Sequence, residues 1–600
     1  MLPPLTSALV VCRLAPQLEA LAHVVSAFLD HGRPPRWSFL RACERSLAHL
    51  APRVAAHEPV LDPSVRASLF ARGLALAAAN DNLALVQWLS TSYCPNGAPV
   101  KGIEAAVRAG HVRVLAWLAE HHRTVVWSSR FLDVAAESGQ LETLQWLKLH
   151  TEQWWSDDAM QLAVRNGHFA VVQWLHQHSI KVYGKTVHAA IKMGDLETTK
   201  FLYERGYQIK VNRRVMNDVA AKNQLEVLKW LHQKKLAIST PDAMDCAADA
   251  GLVHIAQWLF ENHLDGCTTR AMDSAATNGH LDMVKWLHVR RPEGCTRNAM
   301  NGAAANGHLK VVRYLHRYRY EGCTVRAMDA AAKNGFQPVL KWLHDNRREG
   351  CSTEAMNGAA ESGRLDIVRW LHEHRAEGCT AAAMDRAAAN GHLEVVQWLH
   401  ENRSEGCTPN AMDLAAANGH LDIVQWLHEN RLEGCTPRAM DLAASNGHAA
   451  IVHWLHDNRL EGCTTNAMNW AAMNDHLDIV QWLHHNTVEG CTTDAMDKAN
   501  SLEVVRWLHE NRPEGCTTLA MDRAAASGDV EILVFLQANR SEGCSEDAAW
   551  VAARNDHLEV LQWLIRNRRE RVNIRSIRAM YRSRRYLTAM LEQMRAEGYR

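Results

Sequence analysis

Histidine and cysteine, the side chains best suited to bind a metal or act as a nucleophile, recur at fixed positions along this 600-residue sequence. Eleven of the fifteen cysteines, from Cys267 to Cys544, occupy one recurring position, and a histidine such as His428 follows Trp-Leu. A zinc site needs about four ligands at one point, whereas these residues, and carboxylates such as Asp441, recur once per interval. The pattern therefore predicts structural roles, with no metal, no cofactor and no catalytic pair.

Two histidine positions have separate expected roles. The histidine after Trp-Leu falls in the last turn of a predicted helix, where it can interact with exposed carbonyls. A row of pH-sensing groups is the alternative for this position. The histidine of Gly-His, such as His420, is expected to hydrogen-bond in the turn between two helices. No P-loop, GxSxG, HExxH or kinase motif occurs, so we predict that the protein is not an enzyme.

The elements that position these side chains form a repeat. The string Ala411-Met-Asp-Leu-Ala-Ala-Ala-Asn-Gly-His-Leu-Asp-Ile-Val424 leads into Gln425-Trp-Leu-His428, and close copies follow, usually every 28 residues. A fixed period in this range is typical of a solenoid whose units pack on their neighbours. The aromatic residue of each of the eighteen units is Trp88, Trp117, Trp146, Trp174, Phe201, Trp230, Trp258, Trp286, Tyr314, Trp342, Trp370, Trp398, Trp426, Trp454, Trp482, Trp507, Phe535 or Trp563.

Each unit predicts two helices. In a representative unit, Thr436 can cap the first helix, and the proline that follows it suits the first helical position. This helix runs to about Ser445. Asn446-Gly447 predicts a left-handed stop, and a second helix runs over about His448–Asn458. No segment alternates with period two. The fold class is therefore all-α, a solenoid of about eighteen stacked helix-turn-helix repeats.

The faces of these helices also follow from the pattern. Ala439, Met440, Ala443 and Ala444 hardly vary between units, so they are expected to pack against neighbouring helices, while positions 438, 442 and 445 vary and should face solvent. In the second helix, the tryptophan is expected to be buried, which would remove roughly 200 Å² from water. The sequence thus predicts that each first helix has a packing side that is constant between repeats and an outer stripe that varies between them.

Charge and cysteine usage limit the possible functions. Lysine plus arginine and aspartate plus glutamate each number 66, so the chain lacks the overall positive field that favours non-specific nucleic-acid binding. There is no apolar run of about 18 residues that would predict a transmembrane helix. Stacked helices lie about 8–10 Å apart, too far for neighbouring cysteines to form a disulfide. We therefore expect a monomer in a reducing compartment, the cytoplasm or alternatively the nucleus.

Three regions are predicted. Residues 1–70 lack the motif; the segments 17–29 and 38–49 are helical in pattern, and the region forms a cap or degenerate repeats, with an independent recruiting domain as the alternative. Residues 71–565 form the repeat array, within which the 25-residue spacing before Cys516 predicts irregular stacking at Ala499–Leu502. Residues 566–600 carry eleven arginines and three glutamates. They form a basic C-terminal helix or tail that either caps the array or contacts nucleic acid or another acidic partner.

The repeated motif resembles the ankyrin repeat. Ala415-Ala-Ala-Asn-Gly-His420 and Ala303-Ala-Ala-Asn-Gly-His308 are similar to its Ala-Ala-x-x-Gly-His motif, and His188 stands where the ankyrin motif places a histidine. The ankyrin period is 33 residues, so about five residues are missing where ankyrin repeats form a hairpin finger. The resemblance implies ankyrin-like stacking with fingers shortened or absent, and a non-catalytic scaffold that binds proteins.

The resemblance also implies where a partner binds, since ankyrin stacks bind along the concave face made by their first helices. The positions of this sequence that match that face are the variable positions of the first helices. They form a stripe with an apolar centre and a charged edge, which suits a protein partner. Simple packing of Trp470 over its neighbours is the alternative. Nucleic-acid binding through the basic C-terminal segment is the alternative function. The predicted partner-binding residues are Arg386, Leu414, Arg438, Leu442, Asn466, Trp470, Met473, Lys498 and Arg523.

Overall fold

A computed structural model describes most of the chain. The described residues are 39–48, 50–57, 63–95, 97–122, 127, 129–150, 158–178, 184–207, 211–238, 240–262, 266–568, 572–580, 587, 590, 591 and 594. Regular structure over these ranges is helical and contains no strand. The all-α prediction is therefore confirmed, and no hairpin finger joins successive repeats in the part of the chain described.

The structure divides into two compact units. The first contains residues 1–190, 200–207 and 517–600, and the second contains residues 191–199 and 208–516. The helices of the first unit are Phe39–Glu44, Ala51–His57, Pro63–Ala79, Leu83–Trp88 with the π-helix Leu89–Tyr93, Val100–Ala109, Val112–His121, Ser129–Glu137, Leu141–His150, Ala159–Arg165, Phe169–Gln177, Thr518–Ser527, Val530–Asn539, Asp547–Arg554, Leu558–Asn567 and Ile574–Met580. The chain passes between the units within the helices Gly184–Met193 and Leu196–Glu204.

The second unit is a regular series of helix pairs, in which each repeat has a first helix and a second helix. These helices are Arg213–Ala221, Leu225–Gln233, Pro241–Asp249, Val253–Glu261, Thr269–Thr277, Leu281–Arg290, Arg297–Ala305, Leu309–Tyr318, Arg326–Lys333, Gln337–Asn346, Thr353–Glu361, Leu365–His374, Ala382–Ala389, Leu393–Asn402, Asn410–Ala417, Leu421–Asn430, Arg438–Ser445, Ala449–Asn458, Thr465–Met473, Leu477–Asn486, Asp494–Lys498 and Leu502–Asn511.

Local sequence sets the helix ends of the representative repeat as predicted. The Thr436 hydroxyl accepts a hydrogen bond of 3.3 Å from the Arg438 amide at the start of the first helix. That helix is Arg438–Ser445, and Gly447 follows it with φ +81°, a conformation that glycine adopts without strain. The second helix is Ala449–Asn458. Its last turn is closed by the Asn458 side chain, which donates to the Trp454 carbonyl at 2.8 Å.

Small residues bring the first helices of successive repeats together. Ala439, Met440, Ala443 and Ala444 are all at most 2% exposed, which confirms the predicted packing side. Successive first helices contact each other much more extensively than successive second helices, because alanine side chains allow close approach. The core of the second unit therefore follows the row of first helices, and the variable side of each is left at the surface.

The recurring tryptophans are less buried than the sequence predicts. Trp426 is half-buried, as are most of its counterparts, and among the described aromatic positions only Trp230 and Trp563 are buried. The Trp426 ring meets His400 of the preceding repeat edge to face, with centroids 5.2 Å apart. The residues buried beneath it in the second helix are Ile423, Val424 and Leu427. The tryptophan thus covers the junction between two repeats and lies outside the core.

The predicted irregularity is confirmed. The first helix Asp494–Lys498 has five residues, and Ala499 leaves the helical conformation at φ −61° and ψ 136°. Ser501 then caps the next helix by accepting a hydrogen bond from the Val504 amide. Asn500 still donates to the Met473 carbonyl of the preceding repeat at 2.8 Å. The shortened repeat therefore keeps its bond to its neighbour.

The first unit joins repeats that are distant in sequence. Lys101 Nζ lies 3.1 Å from Glu559 Oε1, and Arg130 Nη1 lies 2.6 Å from Asp556 Oδ2. The helix Pro63–Ala79 also contacts Val530–Asn539 and Leu558–Asn567. The early and late repeats of this unit therefore pack on one another.

The ends of the chain are described in part. Of the predicted helical segments at the N-terminus, 17–29 lies outside the described residues, while Phe39–Glu44 is a helix whose Phe39 ring stacks on Tyr93 with centroids 4.4 Å apart. In the basic C-terminal segment, Ile574 and Ile577 are buried, as are the apolar residues of the last described stretch, namely Leu587, Met590, Leu591 and Met594. Arg569, Arg571, Arg582, Arg584 and Arg585 lie outside the described residues. None of the described helices is both long and apolar enough to span a membrane.

Candidate partner-binding face

The predicted binding residues lie on the variable side of the first helices. Those of the second unit are half-buried except Arg438, which is exposed: Arg386, Leu414, Arg438, Leu442, Asn466, Trp470, Met473 and Lys498. We call this set the first-helix face. The ninth predicted residue, Arg523, is half-buried on Thr518–Ser527 in the first unit. The eight residues therefore lie on the same side of successive first helices.

The centre of the first-helix face is apolar. Leu414, Leu442 and Trp470 occupy the same position in three successive first helices, and Met473 lies one turn beyond Trp470. Trp470 is half-buried, and its indole Nε1 forms no hydrogen bond to any residue that the structure describes. The face thus presents apolar area together with an indole N–H that can donate to a bound group.

The charged edge of the face is engaged in ion pairs, which the sequence did not reveal. Arg386 Nη1 lies 2.9 Å from Glu354 Oε2 and 3.5 Å from Glu361 Oε2, both in the preceding repeat. Lys498 Nζ lies 2.8 Å from Asp494 Oδ2 one turn earlier in its own helix. Hydrogen bonding to Glu354 also raises the pKa of Arg386. Both cations are therefore held in place and partly neutralised.

A buried polar side chain fixes each first helix to the next repeat. Asp441 Oδ1 accepts from the Thr464 amide at 2.8 Å, and its Oδ2 accepts from the Thr464 hydroxyl at 2.6 Å. Burial raises the pKa of Asp441, and the two hydrogen bonds from Thr464 act in the opposite direction. Equivalent pairs with the same 23-residue separation are Asp245 with Thr268, Asp273 with Thr296, Asp329 with Ser352, Asp385 with Thr408, Asp413 with Thr436, and Asp522 with Ser545.

Asparagine makes the same connection in three other repeats. In one of them Asn469 Oδ1 accepts from the Thr492 amide at 2.9 Å, while Asn469 Nδ2 donates to the Thr492 hydroxyl. Sequence reasoning assigned the recurring acid to architecture without finding this partner. The available signal was the serine or threonine that follows the acid or amide by 23 residues. This bond holds successive first helices in register and so positions the face.

The loops between repeats are stabilised by an ion pair over a left-handed glycine. Arg403 pairs with Glu405, and the Glu405 carboxylate also accepts from the Cys379 amide of the preceding loop. The Arg403 hydrogen bond holds the pKa of Glu405 at about 2, against the effect of burial. Gly378 has φ +70°, and a Cβ at this position would meet the Arg403 guanidinium. Glycine is therefore required by both conformation and space.

Burial determines the chemistry of the eleven cysteines that occupy the recurring position. Burial raises the pKa of Cys379 to about 11, and its neighbours in the row behave alike. A thiol with so high a pKa is a poor nucleophile near neutral pH. All cysteines that the structure describes are free, and no group of three or more potential metal ligands occurs within the described chain. These residues act as small packing groups.

Histidines at both recurring positions contact neighbouring repeats, whereas the sequence predicts that they bond within their own repeat. His428 Nδ1 lies 3.3 Å from Arg459 Nη1 of the next repeat, and its ring meets Trp454 edge to face at 5.2 Å. The residue that reaches the helix carbonyl is Asn430. At the Gly-His position, His168 Nε2 lies 3.0 Å from the Glu137 carbonyl of the preceding repeat. A single repeat's pattern could not reveal these contacts, because both partners belong to neighbours.

Helix pairs of nearly constant length, linked by bonds between adjacent copies, define a helical repeat protein. Two family models match this chain. "Ankyrin repeats (many copies)" matches residues 244–288, 359–400 and 380–428, and "Ankyrin repeats (3 copies)" matches residues 132–214, 272–357 and 412–497. Together these matches span more than half of the sequence. The chain belongs to the ankyrin repeat family.

Comparison with solved structures finds other helical proteins. The crystal structure of the pentatricopeptide repeat protein PPR10 from maize is 12% identical, with coverage of 96% of this chain and 99% of that chain and a TM-score of 0.26. The same protein in complex with an 18-nt psaJ RNA element is 12% identical, with coverage of 97% and 98% and a TM-score of 0.32. A search of curated proteins finds no significant match.

Proposed function

We propose that this ankyrin repeat protein is a non-catalytic adaptor that binds a protein partner through the first-helix face. The observation that carries the proposal is the apolar row Leu414, Leu442 and Trp470 on successive first helices, with an indole N–H left unpaired among the described residues. Binding hot spots are enriched in tryptophan and arginine and are surrounded by polar residues. Asn466 and the exposed Arg438 supply that polar rim.

The proposal assigns a role to each region of the chain. Residues 71–565 form the binding array, and residues 1–70 and 566–600 cap its ends. The burial of Ile574 and Ile577 supports a packed C-terminal segment. The free cysteines suit a reducing compartment, the cytoplasm or the nucleus. Nucleic-acid binding by the basic tail is the alternative, and a salt-dependent shift of labelled RNA or DNA that is lost on deleting 566–600 would favour it.

The experiment compares two variants of the full-length protein. Trp470→Ser with Met473→Ser removes two large apolar groups from the first-helix face. Leu460→Ser with Val488→Ser removes two from inter-repeat loops, where they are 103% and 97% exposed. Wild type and both variants are tagged, used for affinity capture from cells, and compared by quantitative mass spectrometry after circular dichroism confirms folding. We expect partners captured by wild type and the loop variant to fall about tenfold with the face variant.

Two results would contradict the proposal. The face variant could fold normally and capture the same proteins as wild type. Alternatively, it could unfold in part while capture per folded molecule stays constant, in which case Trp470 and Met473 serve packing alone. Thermal melting of each variant separates these two results.

A further inference from the structure

One second helix of the second unit carries an entirely basic outer face. Lys310, Arg313 and Arg317 of Leu309–Tyr318 are all exposed and are spaced +3 and +7, so they share one side of the helix. The equivalent positions of Leu421–Asn430 hold Asp422, Gln425 and Glu429. A chain with balanced total charge therefore concentrates positive charge at one place.

These cations are not neutralised within the described chain. No carboxylate that the structure describes forms an ion pair with Lys310, Arg313 or Arg317. The adjacent second helices extend the charge, since Lys285 and Lys341 are exposed at the position equivalent to Arg313. Of these two, Lys285 pairs with Asp282 at 3.2 Å. Unpaired surface charge of one sign attracts an oppositely charged ligand over about 8–10 Å at physiological ionic strength.

Two exposed tyrosines accompany the charge. Tyr318 is 49% exposed, and it replaces the asparagine that closes the second helix in many other repeats, such as Asn430. Tyr320 is 90% exposed in the loop that follows. The Tyr318 ring lies 4.6 Å from that of Tyr314, between centroids, and the Arg317 guanidinium is 5.5 Å from its centre. Neighbouring side chains thus contact the Tyr318 ring, while much of its surface and most of that of Tyr320 stay exposed.

We propose that Lys310, Arg313, Arg317, Lys341, Tyr318 and Tyr320, which we call the basic second-helix surface, bind single-stranded RNA. Lysine and arginine would contact the phosphates, and the tyrosines would stack on unpaired bases, the combination used for single-stranded nucleic acids. An acidic peptide would use the charges and leave the two rings without a function. The free cysteines suit a reducing compartment, where RNA is the abundant single-stranded polyanion. This surface is separate from the first-helix face and does not rest on the adaptor role.

The test uses the full-length protein and fluorescence anisotropy with a labelled 20-nucleotide oligouridylate at several salt concentrations. One variant carries Lys310→Gln, Arg313→Gln and Arg317→Gln. Its matched control carries Arg270→Gln, Arg297→Gln and Arg326→Gln, three exposed arginines in the first turns of first helices in nearby repeats. A third variant carries Tyr318→Ser and Tyr320→Ser. Each must retain the circular dichroism spectrum and melting temperature of wild type.

We expect wild type to bind with an affinity that falls as salt rises. The basic variant should bind at least about tenfold more weakly, with a salt dependence reduced by about two phosphate contacts. The tyrosine variant should lose about fivefold or more with an unchanged salt dependence. The control, which removes the same charge, should stay within about twofold of wild type, because the location of the charge decides binding.

Several outcomes would overturn the proposal. Absence of binding by wild type, or an equal loss in the control, would remove the surface as a specific site. Displacement of the RNA by poly-glutamate with no effect of the tyrosine variant would assign the surface to an acidic protein. Equal or tighter binding of oligodeoxythymidylate would assign it to single-stranded DNA, and equal binding of duplex RNA would exclude base stacking.

Discussion

At the residue scale, the buried acid at the Asp441 position is exchanged for asparagine in some repeats without loss of its bond. Both side chains accept from the backbone amide of the next repeat, and only the direction of the bond to the hydroxyl differs. An acceptor for that amide is therefore what the position requires. The negative charge itself is dispensable, since the neutral Asn469 accepts from the Thr492 amide in the same way.

This leads to a contrast between two substitutions. Asp441→Ala leaves the Thr464 amide without its partner and should destabilise this junction by about 2 kcal/mol, the cost of an unmet buried hydrogen bond. Asp441→Asn should cost less than about 1 kcal/mol, because Asn469 shows the same geometry with an amide. Hydrogen exchange at the Thr464 amide measures both. Equal exchange rates in the two variants would show that the bond does not hold the junction.

The loop ion pair predicts a pH dependence. Glu405 has a folded pKa of about 2, which lies below its ordinary value of 4.5, chiefly because Arg403 donates to it. A lowered folded pKa adds stability above the unfolded value and loses it as pH falls through the folded value. Glu405→Gln should therefore cost about 1 kcal/mol at pH 7, since both partners are partly exposed. The difference from wild type should disappear between about pH 4.5 and pH 2.

Urea unfolding at pH 7, 4 and 2.5 measures this difference. Lys498→Gln, which breaks a more exposed pair with Asp494, is a suitable control because it should change little at any of these pH values. A cost of Glu405→Gln that stays constant down to pH 2.5 would contradict the role of the ion pair.

At the element scale, the short helix Asp494–Lys498 is a place where the repeat can be restored. Adding two alanines after Ala499 and a glycine after Asn500 returns the spacing to 28 residues and lengthens the first helix by about one turn. Alanine is the best helix former, and the two added alanines take the positions of Ala472 and Met473 in the preceding repeat. We expect slower hydrogen exchange over this repeat and a gain of about 1 kcal/mol.

The control for this insertion adds the same three residues in the loop after Asn511, where they extend no helix. Loops tolerate such insertions at a small entropic cost. Faster exchange across the restored repeat than in wild type would show that the shortened helix is the better fit to its neighbours.

The structure also shows which properties of an element its own sequence determines. Helix ends followed from Thr436 and Gly447, because caps and left-handed stops depend on a few adjacent residues. The exposure of Trp426 and the partner of His428 did not follow, because both depend on side chains of the adjacent repeat. The stripe of the candidate face was predicted from its variability. The pairing of Arg386 with Glu354 was missed, since it crosses between helices.

At the scale of the whole molecule, the contact between early and late repeats of the first unit can be tested by charge reversal. Asp556→Lys with Glu559→Lys places like charges opposite Arg130 and Lys101. The matched control is Asp475→Lys with Asp478→Lys, which occupy the same positions in a repeat of the second unit and form no ion pair there with described residues. Dyes attached to Val100–Ala109 and Leu558–Asn567 report the separation of the two segments.

We expect energy transfer between the dyes to fall in the first variant and to recover partly at high salt, because exposed charges are screened. The control should leave it unchanged. Unchanged transfer in a folded Asp556 and Glu559 variant would mean that apolar packing of Pro63–Ala79 alone maintains the contact.

The bonds between repeats have a genetic consequence. The acid-to-threonine bond spans 23 residues, the asparagine bond of Asn446 spans 29, and the bond of Arg459 to His428 spans 31. Each reaches one copy away and no further. A tandem duplication of 28 codons within the second unit would therefore create one new set of these three bonds and leave the existing bonds between adjacent copies intact. The bonds between adjacent copies therefore place no limit of their own on how many whole copies the gene carries.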